Sequence, residues 1–390
     1  MKKFVVLLLA LCLLGVAFLS CLDGGEPSAP APEESAAPAD AGEAPGESEE
    51  SEESEEKPSG VDYEAIYALR APEEIVMTVD GREISWQEYF YYYYTLAANC
   101  ENNFTKMMYE GMAVGWSSEA DAEGNTYAQL LAPSAENLLR RDLAAEQLAE
   151  ENGIRLTEED QAELQAAHQE DLDYIASQGY SEERFFEALE PLYMNETVYW
   201  RLLRRPLLYE ACNQALVGEN GEKLPEELVL DWMEKEGYLS VDRIRIPAGE
   251  GAAAQAEELA RELQSEEDPA AREALFLERK AELDPEGASY VATQTWIDPA
   301  IFERASALEP GQVADPLELD GDWYVILRRP LRADDEISTT YSREPARTLL
   351  AGKGLDLLIQ RRAERQRVVY AEGFAPPEVL DYYTRPDYAE

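Results

Sequence analysis

Side chains able to do covalent or metal chemistry are scarce here, and their spacing excludes more than it allows. The 390 residues hold one histidine, His168, and four cysteines. Cys100 and Cys212 stand alone, with no CxxC pair and no His/Cys cluster, so zinc ligation and dithiol exchange have no ligand set. Spacing alone does not bring those two thiols within bonding range, and a buried core position is the simpler reading of each. Cys21 is placed differently: it follows an apolar run, Phe4 to Phe18, that two lysines precede. That placement is where an exported chain would be cleaved and its new terminal cysteine joined by a thioether to diacylglycerol. Recognition by aromatic rings is the other chemistry on offer. Trp86, Tyr89, Phe90, Tyr93 and Leu96 recur at helical spacing, and such a stripe either fills a core or cradles apolar segments of another chain.

The elements that position these residues begin with an export segment, 1–21. Fifteen positions from Phe4 to Phe18 are few for a membrane span. Ser20 and Leu19 resemble the residues before the cysteine of a bacterial lipobox, while Phe18 stands where Leu or Val is usual. Cleavage after Ala17 by an ordinary signal peptidase and an uncleaved anchor are the alternatives. Residues 22–60 are almost all Pro, Ala, Ser, Gly and Glu, with thirteen acidic residues and one lysine. Such a segment buries too little apolar surface to offset ordering, and its like charges extend it into a spacer.

The 330 residues that follow are enough for two domains. With 81 Asp and Glu against 33 Lys and Arg, the chain lacks the basic face that phosphate neutralisation requires, which argues against nucleic acid as a partner. Ile75, Met77 and Val79 alternate as a strand, Asp80-Gly81 reads as a tight turn, and Ser85 caps the aromatic helix. Residues 135–217 are helical in pattern, with stops at Asn152-Gly153 and Gly179 and a proline, Pro206, inside the last helix. Val79-Asp-Gly-Arg-Glu-Ile84, with Ala149-Glu-Glu-Asn-Gly-Ile-Arg-Leu-Thr-Glu-Glu-Asp160, resembles the N-terminal chaperone region of the SurA and PrsA foldases.

Further along, the pattern predicts a strand over 239–246, helices over 252–263, 269–283 and 299–308, and strands over 313–319 and 323–327 around an Asp320-Gly321 turn. That order, with Phe302-Glu-Arg-Ala-Ser-Ala-Leu-Glu-Pro-Gly-Gln-Val-Ala-Asp-Pro316 and Asp320-Gly-Asp-Trp-Tyr-Val-Ile326, resembles the parvulin peptidyl-prolyl isomerases over about ninety-five residues. Parvulins place a histidine in the first strand and another in the last. Here Arg243 and Tyr324 take those positions, and Val291-Ala-Thr-Gln-Thr295 replaces a glycine-rich turn before Trp296.

The resemblance implies an α+β protein: a mainly helical chaperone lobe, 61–235 completed by 333–390, with an inserted parvulin-like domain, 236–332. It implies an extracytoplasmic, lipid-anchored foldase whose partners are unfolded or newly exported polypeptides and the membrane, with no nucleotide, metal or other cofactor. Tyr324 would donate to the peptide carbonyl and Arg243 would polarise it. Phe302 and Trp296, with Tyr89, Phe90 and Tyr93 in the lobe, would hold the segment. The plainer alternative makes Tyr324 a strand core residue and Arg243 a solvent-facing one. A working isomerase with a histidine-free pocket, and an envelope structural lipoprotein with one fixed partner, are the competing functions.

Overall fold

The computed structural model describes residues 60–338 and 342–384. The export segment, Cys21 and all of the acidic spacer except Gly60 lie outside those residues. The chain forms two compact units, one from residues up to Leu208 and from Gln360 onward, the other from Tyr209 to Ile359.

In the first unit, β1 (Gly60–Val61) is followed by helix α1 (Tyr63–Tyr67) and by the hairpin of β2 (Ile75–Val79) and β3 (Arg82–Ser85). Asp80 and Gly81 both take positive φ, 50° and 85°, as a two-residue hairpin turn requires. The Ser85 side chain then accepts from the Glu88 N–H and opens α2 (Trp86–Tyr109). Helices α3 (Tyr127–Glu151) and α4 (Glu158–Ser177) begin in capping boxes, Thr126 with Gln129 and Thr157 with Asp160, and α5 (Glu196–Leu216) follows two short 3-10 turns. Near the C-terminus, β10 (Val368–Tyr370) pairs antiparallel with β2, and β11 (Tyr383–Thr384) pairs with β1. Asp80 joins the hairpin to this return: its carboxylate accepts the Arg367 N–H at 2.8 Å and faces Arg362 at 3.1 Å.

Helix α2 is the centre of this unit. Trp86, Tyr89, Phe90 and Tyr93 are buried, and so are Tyr91 and Tyr92, which fall off the stripe read from the sequence. A helix that is apolar all round belongs in a core. Tyr89, Phe90 and Tyr93 are each 0% exposed, which corrects the expectation that they contact a bound chain. Their rings pack instead on Trp86, Tyr193 and Phe374.

One polar cluster penetrates this core. Arg201, 2% exposed, lies 2.5 Å from Glu88 and 3.2 Å from Glu146, while the Tyr92 hydroxyl donates to Asp142 at 2.8 Å. These pairs tie α2, α3 and α5 together.

The second unit holds an antiparallel sheet of order β5-β4-β7-β6, built from β4 (Leu239–Ile246), β5 (Ser289–Ala292), β6 (Leu317–Leu319) and β7 (Asp322–Arg329). The predicted strand over 313–319 shortens to β6 because Pro316 has no N–H to pair, leaving Val313 as an isolated bridge to Leu327. Helices α7 (Ala252–Ser265) and α8 (Pro269–Leu283) cover one face, packing on Ile244, Val325 and Leu327; α9 (Pro299–Ser306) covers part of the other. Helix α6 (Glu226–Lys235), the small hairpin of β8 (Glu336–Ser338) and β9 (Arg343–Pro345), and the first part of α10 (Ala346–Glu364) share a further core with Val217, Leu224 and Val291. The contact boundaries therefore fall at 208/209 and 359/360, not at the 235/236 and 332/333 divisions suggested by the sequence, because residues 217–233 and 333–350 bury their apolar sides in this unit.

Two stability measurements follow. Removing one member of a buried ion pair strands the other, so Arg201→Met is expected to cost about 3–5 kcal/mol in urea unfolding, and Arg201→Met with Glu88→Leu less than the sum of the single changes. Burial also pushes the Cys100 thiol up from 9.0 to about 12 and the Tyr91 hydroxyl from 10.0 to about 12. Between pH 9 and pH 12 the unfolded chain then holds fewer protons than the folded one, so stability present below pH 9 is lost as pH rises. The urea midpoint should fall across that window, and less steeply in Tyr91→Phe.

Candidate functional site

Side chains alternate along β4. Ser240, Asp242, Ile244 and Ile246 point toward α7 and α8, while Leu239, Val241, Arg243 and Arg245 point to the opposite face. On the helix-covered face Asp242, 1% exposed, is ion-paired: Lys280 Nζ approaches at 2.6 Å and Arg329 Nε at 2.7 Å, and the Ser289 hydroxyl also donates to it. Two cations and a hydroxyl offset the cost of burying that charge.

Arg243, one residue on, is the reverse case. Its guanidinium carbon lies 5.1 Å from the centroid of the Tyr324 ring and 5.4 Å from that of Tyr290. Strand register places both rings: Tyr290 pairs with Val241, and Tyr324 with Arg245, so each lies one diagonal step from Arg243. The rings stabilise the cation through their π faces without neutralising it. Arg243 Nε is buried and without a hydrogen-bond partner, and no carboxylate pairs with this side chain among the described residues. Other arginines of β4 and β7 are engaged. Arg245 meets Asp322 at 2.6 Å, Arg329 meets Asp242, and Arg328 donates to the carbonyl of Leu308.

Around this cation runs a half-buried apolar wall. Tyr290, Phe302, Leu317 and Leu319 pack on the buried Ile301, Ala305, Tyr324 and Ile326. Phe302 is held there by α9, which the Asp298 side chain caps and Pro299 starts. The Tyr324 side chain is 9% exposed and its hydroxyl has no hydrogen-bond partner among the described residues. The structure thus brings Arg243, Tyr324 and Phe302 to one face. Trp296 is 45% exposed on the loop between β5 and α9 and belongs to none of the buried clusters. Tyr290 is absent from the residues the sequence singles out, because the four residues of β5, Ser289–Ala292, carry no readable period.

His168 lies in the first unit, where its Nδ1 is 2.8 Å from the Tyr199 hydroxyl, which donates to Asp171 at 2.9 Å. Its ring packs on Phe185 and Trp200, so it serves the packing of this unit. No group of three or more His, Cys, Asp or Glu that could hold a metal ion occurs among the described residues.

No protein-family model and no curated protein matches the chain. Solved structures do. The foldase protein PrsA of Streptococcus pneumoniae is 14% identical over 60% of this chain and 79% of its own, with a TM-score of 0.19. PrsA of Bacillus subtilis is 13% identical over 76% and 92%, with a TM-score of 0.21. A structure of SurA-like chaperones from Campylobacter jejuni is 10% identical over 77% and 99%, with a TM-score of 0.16. The chain is similar to PrsA foldases and to SurA-like chaperones. At TM-scores this low the similarity adds nothing to the site, which rests on the strand register.

The contrast between neighbours on β4 is measurable. Asp242→Asn leaves Lys280 and Arg329 without their anion and is expected to cost about 3–5 kcal/mol in urea unfolding. Arg243→Leu, which removes a cation with no counter-charge among the described residues, should leave the folded state no less stable.

Proposed function

We propose that this chain is an extracytoplasmic foldase of the holding kind: it binds unfolded or newly exported polypeptides, and the Arg243 wall takes an Xaa–Pro segment. One observation carries this reading: a half-buried guanidinium with free donors stands between two tyrosine rings beside an apolar wall, on the strand pair whose sequence resembles the parvulins. Phe302, Leu317 and Leu319 offer the proline ring a place to leave water, and Arg243 offers N–H groups to the carbonyl before it.

The same geometry bears on catalysis. Rotation about an Xaa–Pro bond crosses roughly 18–20 kcal/mol because the planar amide carries partial C–N double-bond character. A cation on the carbonyl oxygen favours the charge-separated, planar form, so it strengthens the complex without lowering that barrier. Arg243 on the carbonyl is therefore a binding residue, which revises its expected role in catalysis. Tyr324, whose hydroxyl has no hydrogen-bond partner among the described residues, adds a second hydrogen bond to the same segment. In this reading binding dominates and isomerisation is weak.

Cys21 and the acidic spacer complete the proposal as a lipid anchor and tether, on the sequence evidence given above. Among the described residues no helix is long and apolar enough to cross a membrane.

The test adds the full chain to a refolding protein whose slow phase is proline-limited and, separately, to an aggregating unfolded client. Expected are suppression of aggregation near equimolar chain, weakened roughly tenfold by Phe302→Ala, and a slow phase unchanged within about twofold. Acceleration at catalytic concentrations that is lost in Arg243→Gln and Tyr324→Phe would instead make the protein an isomerase. Saturation by one partner alone would make it a structural lipoprotein.

A further inference from the structure

We propose that the Arg243 site selects segments in which an acidic residue immediately precedes the proline. The inference rests on the Xaa–Pro reading of this wall and specifies the segment it takes.

The charge balance around Arg243 carries it. Formal charge over the chain is −48, with 33 basic residues among 81 acidic ones, so a basic side chain left without a carboxylate is against expectation. The acids of β4 and β7, and Asp284 beside them, are already engaged. Asp322 accepts from Arg245 Nε at 2.6 Å and from the Ala248 N–H at 2.8 Å, Asp284 accepts the Arg245 N–H at 2.8 Å, and Asp242 serves Lys280 and Arg329 on the opposite face. Arg243 keeps its full charge.

A peptide carbonyl supplies an acceptor for one or two of the five guanidinium N–H groups but no counter-charge. A carboxylate supplies both, and its two oxygens match the fork of the guanidinium edge. With Tyr290 and Tyr324 against the guanidinium, that edge is what remains for a ligand. When the proline ring lies on Phe302 and Leu317 and its preceding carbonyl faces Arg243, the side chain of the preceding residue is the nearest group that can bring the charge. The long-range field of the chain opposes acidic ligands, but it is screened beyond about 8 Å at physiological ionic strength, and the local pair decides.

The experiment measures binding of three labelled peptides to the full chain by fluorescence anisotropy. They are identical except for a central Glu-Pro, Gln-Pro or Glu-Ala. The Glu-Pro peptide is expected to bind roughly tenfold tighter than Gln-Pro, as a charge-assisted pair against a neutral one. On the unaltered protein this advantage should shrink as salt rises from about 0.05 M to about 0.5 M. Arg243→Gln should bring the ratio to about one, and Arg243→Lys should retain part of it. Equal affinities of Glu-Pro and Gln-Pro for the unaltered protein, with Gln-Pro still bound above background, would overturn the inference and leave the Xaa–Pro site standing. If Glu-Ala binds as tightly as Glu-Pro, proline is not read at all, and the site reading falls together with the inference.

Discussion

The buried carboxylate of Asp242 is what the second unit depends on. Lys280, Ser289 and Arg329 converge on it from α8, β5 and β7, so one charge ties the central strand to both its neighbours and to the covering helix. A strand that slipped by one residue would turn Asp242 to the other face and bury Arg243 in its place, leaving Lys280 and Arg329 without their anion and beside a third cation. Register is thereby fixed at the position where it matters. Arg243 stands between Tyr290 and Tyr324 because Asp242 cannot move.

Alternation along one strand thus separates two uses of charge. On the covered face ion pairing is complete and serves the fold. On the other face the cation is held by rings that do not discharge it, beside side chains that remain half in water. The described residues of the first unit show the first use. Its buried charges, Arg201 with Glu88 and Glu146, and Asp142 with Tyr92, close on one another inside an aromatic core.

Much of this fold is legible in the sequence where local rules act alone. Strand β4 and helix α8 follow from alternation and from Asp268-Pro269, and the β2–β3 and β6–β7 hairpins from Asp-Gly pairs that accept positive φ. Other parts are not local. Strand β5 has four residues, too few for a period to show, and with it Tyr290 went unseen. Hydrophobic spacing marks the apolar sides of α6 and α10 but not which core receives them, and that moved the unit boundaries. The aromatic stripe of α2 is visible, yet only tertiary packing shows that the residues off the stripe are buried as well. Of the candidate site, Arg243, Tyr324 and Phe302 are readable from motif order. That Arg243 lacks an acid partner is not, since a chain this acidic offers every arginine a carboxylate.

The pairing of β10 with β2, and of β11 with β1, has a consequence for the order in which the molecule can form. Both ladders join strands near the start of the described chain to strands beyond residue 367, whereas the second unit is one unbroken stretch, Tyr209–Ile359. A chain delivered N-terminus first can finish its later-encoded unit while the earlier one still waits for its closing strands. During that interval β2 presents an unpaired edge next to a hydrophobic hairpin, a surface open to strand addition. A molecule delivered in that order passes through a stage in which this edge is open, and that stage lasts until the final strands arrive.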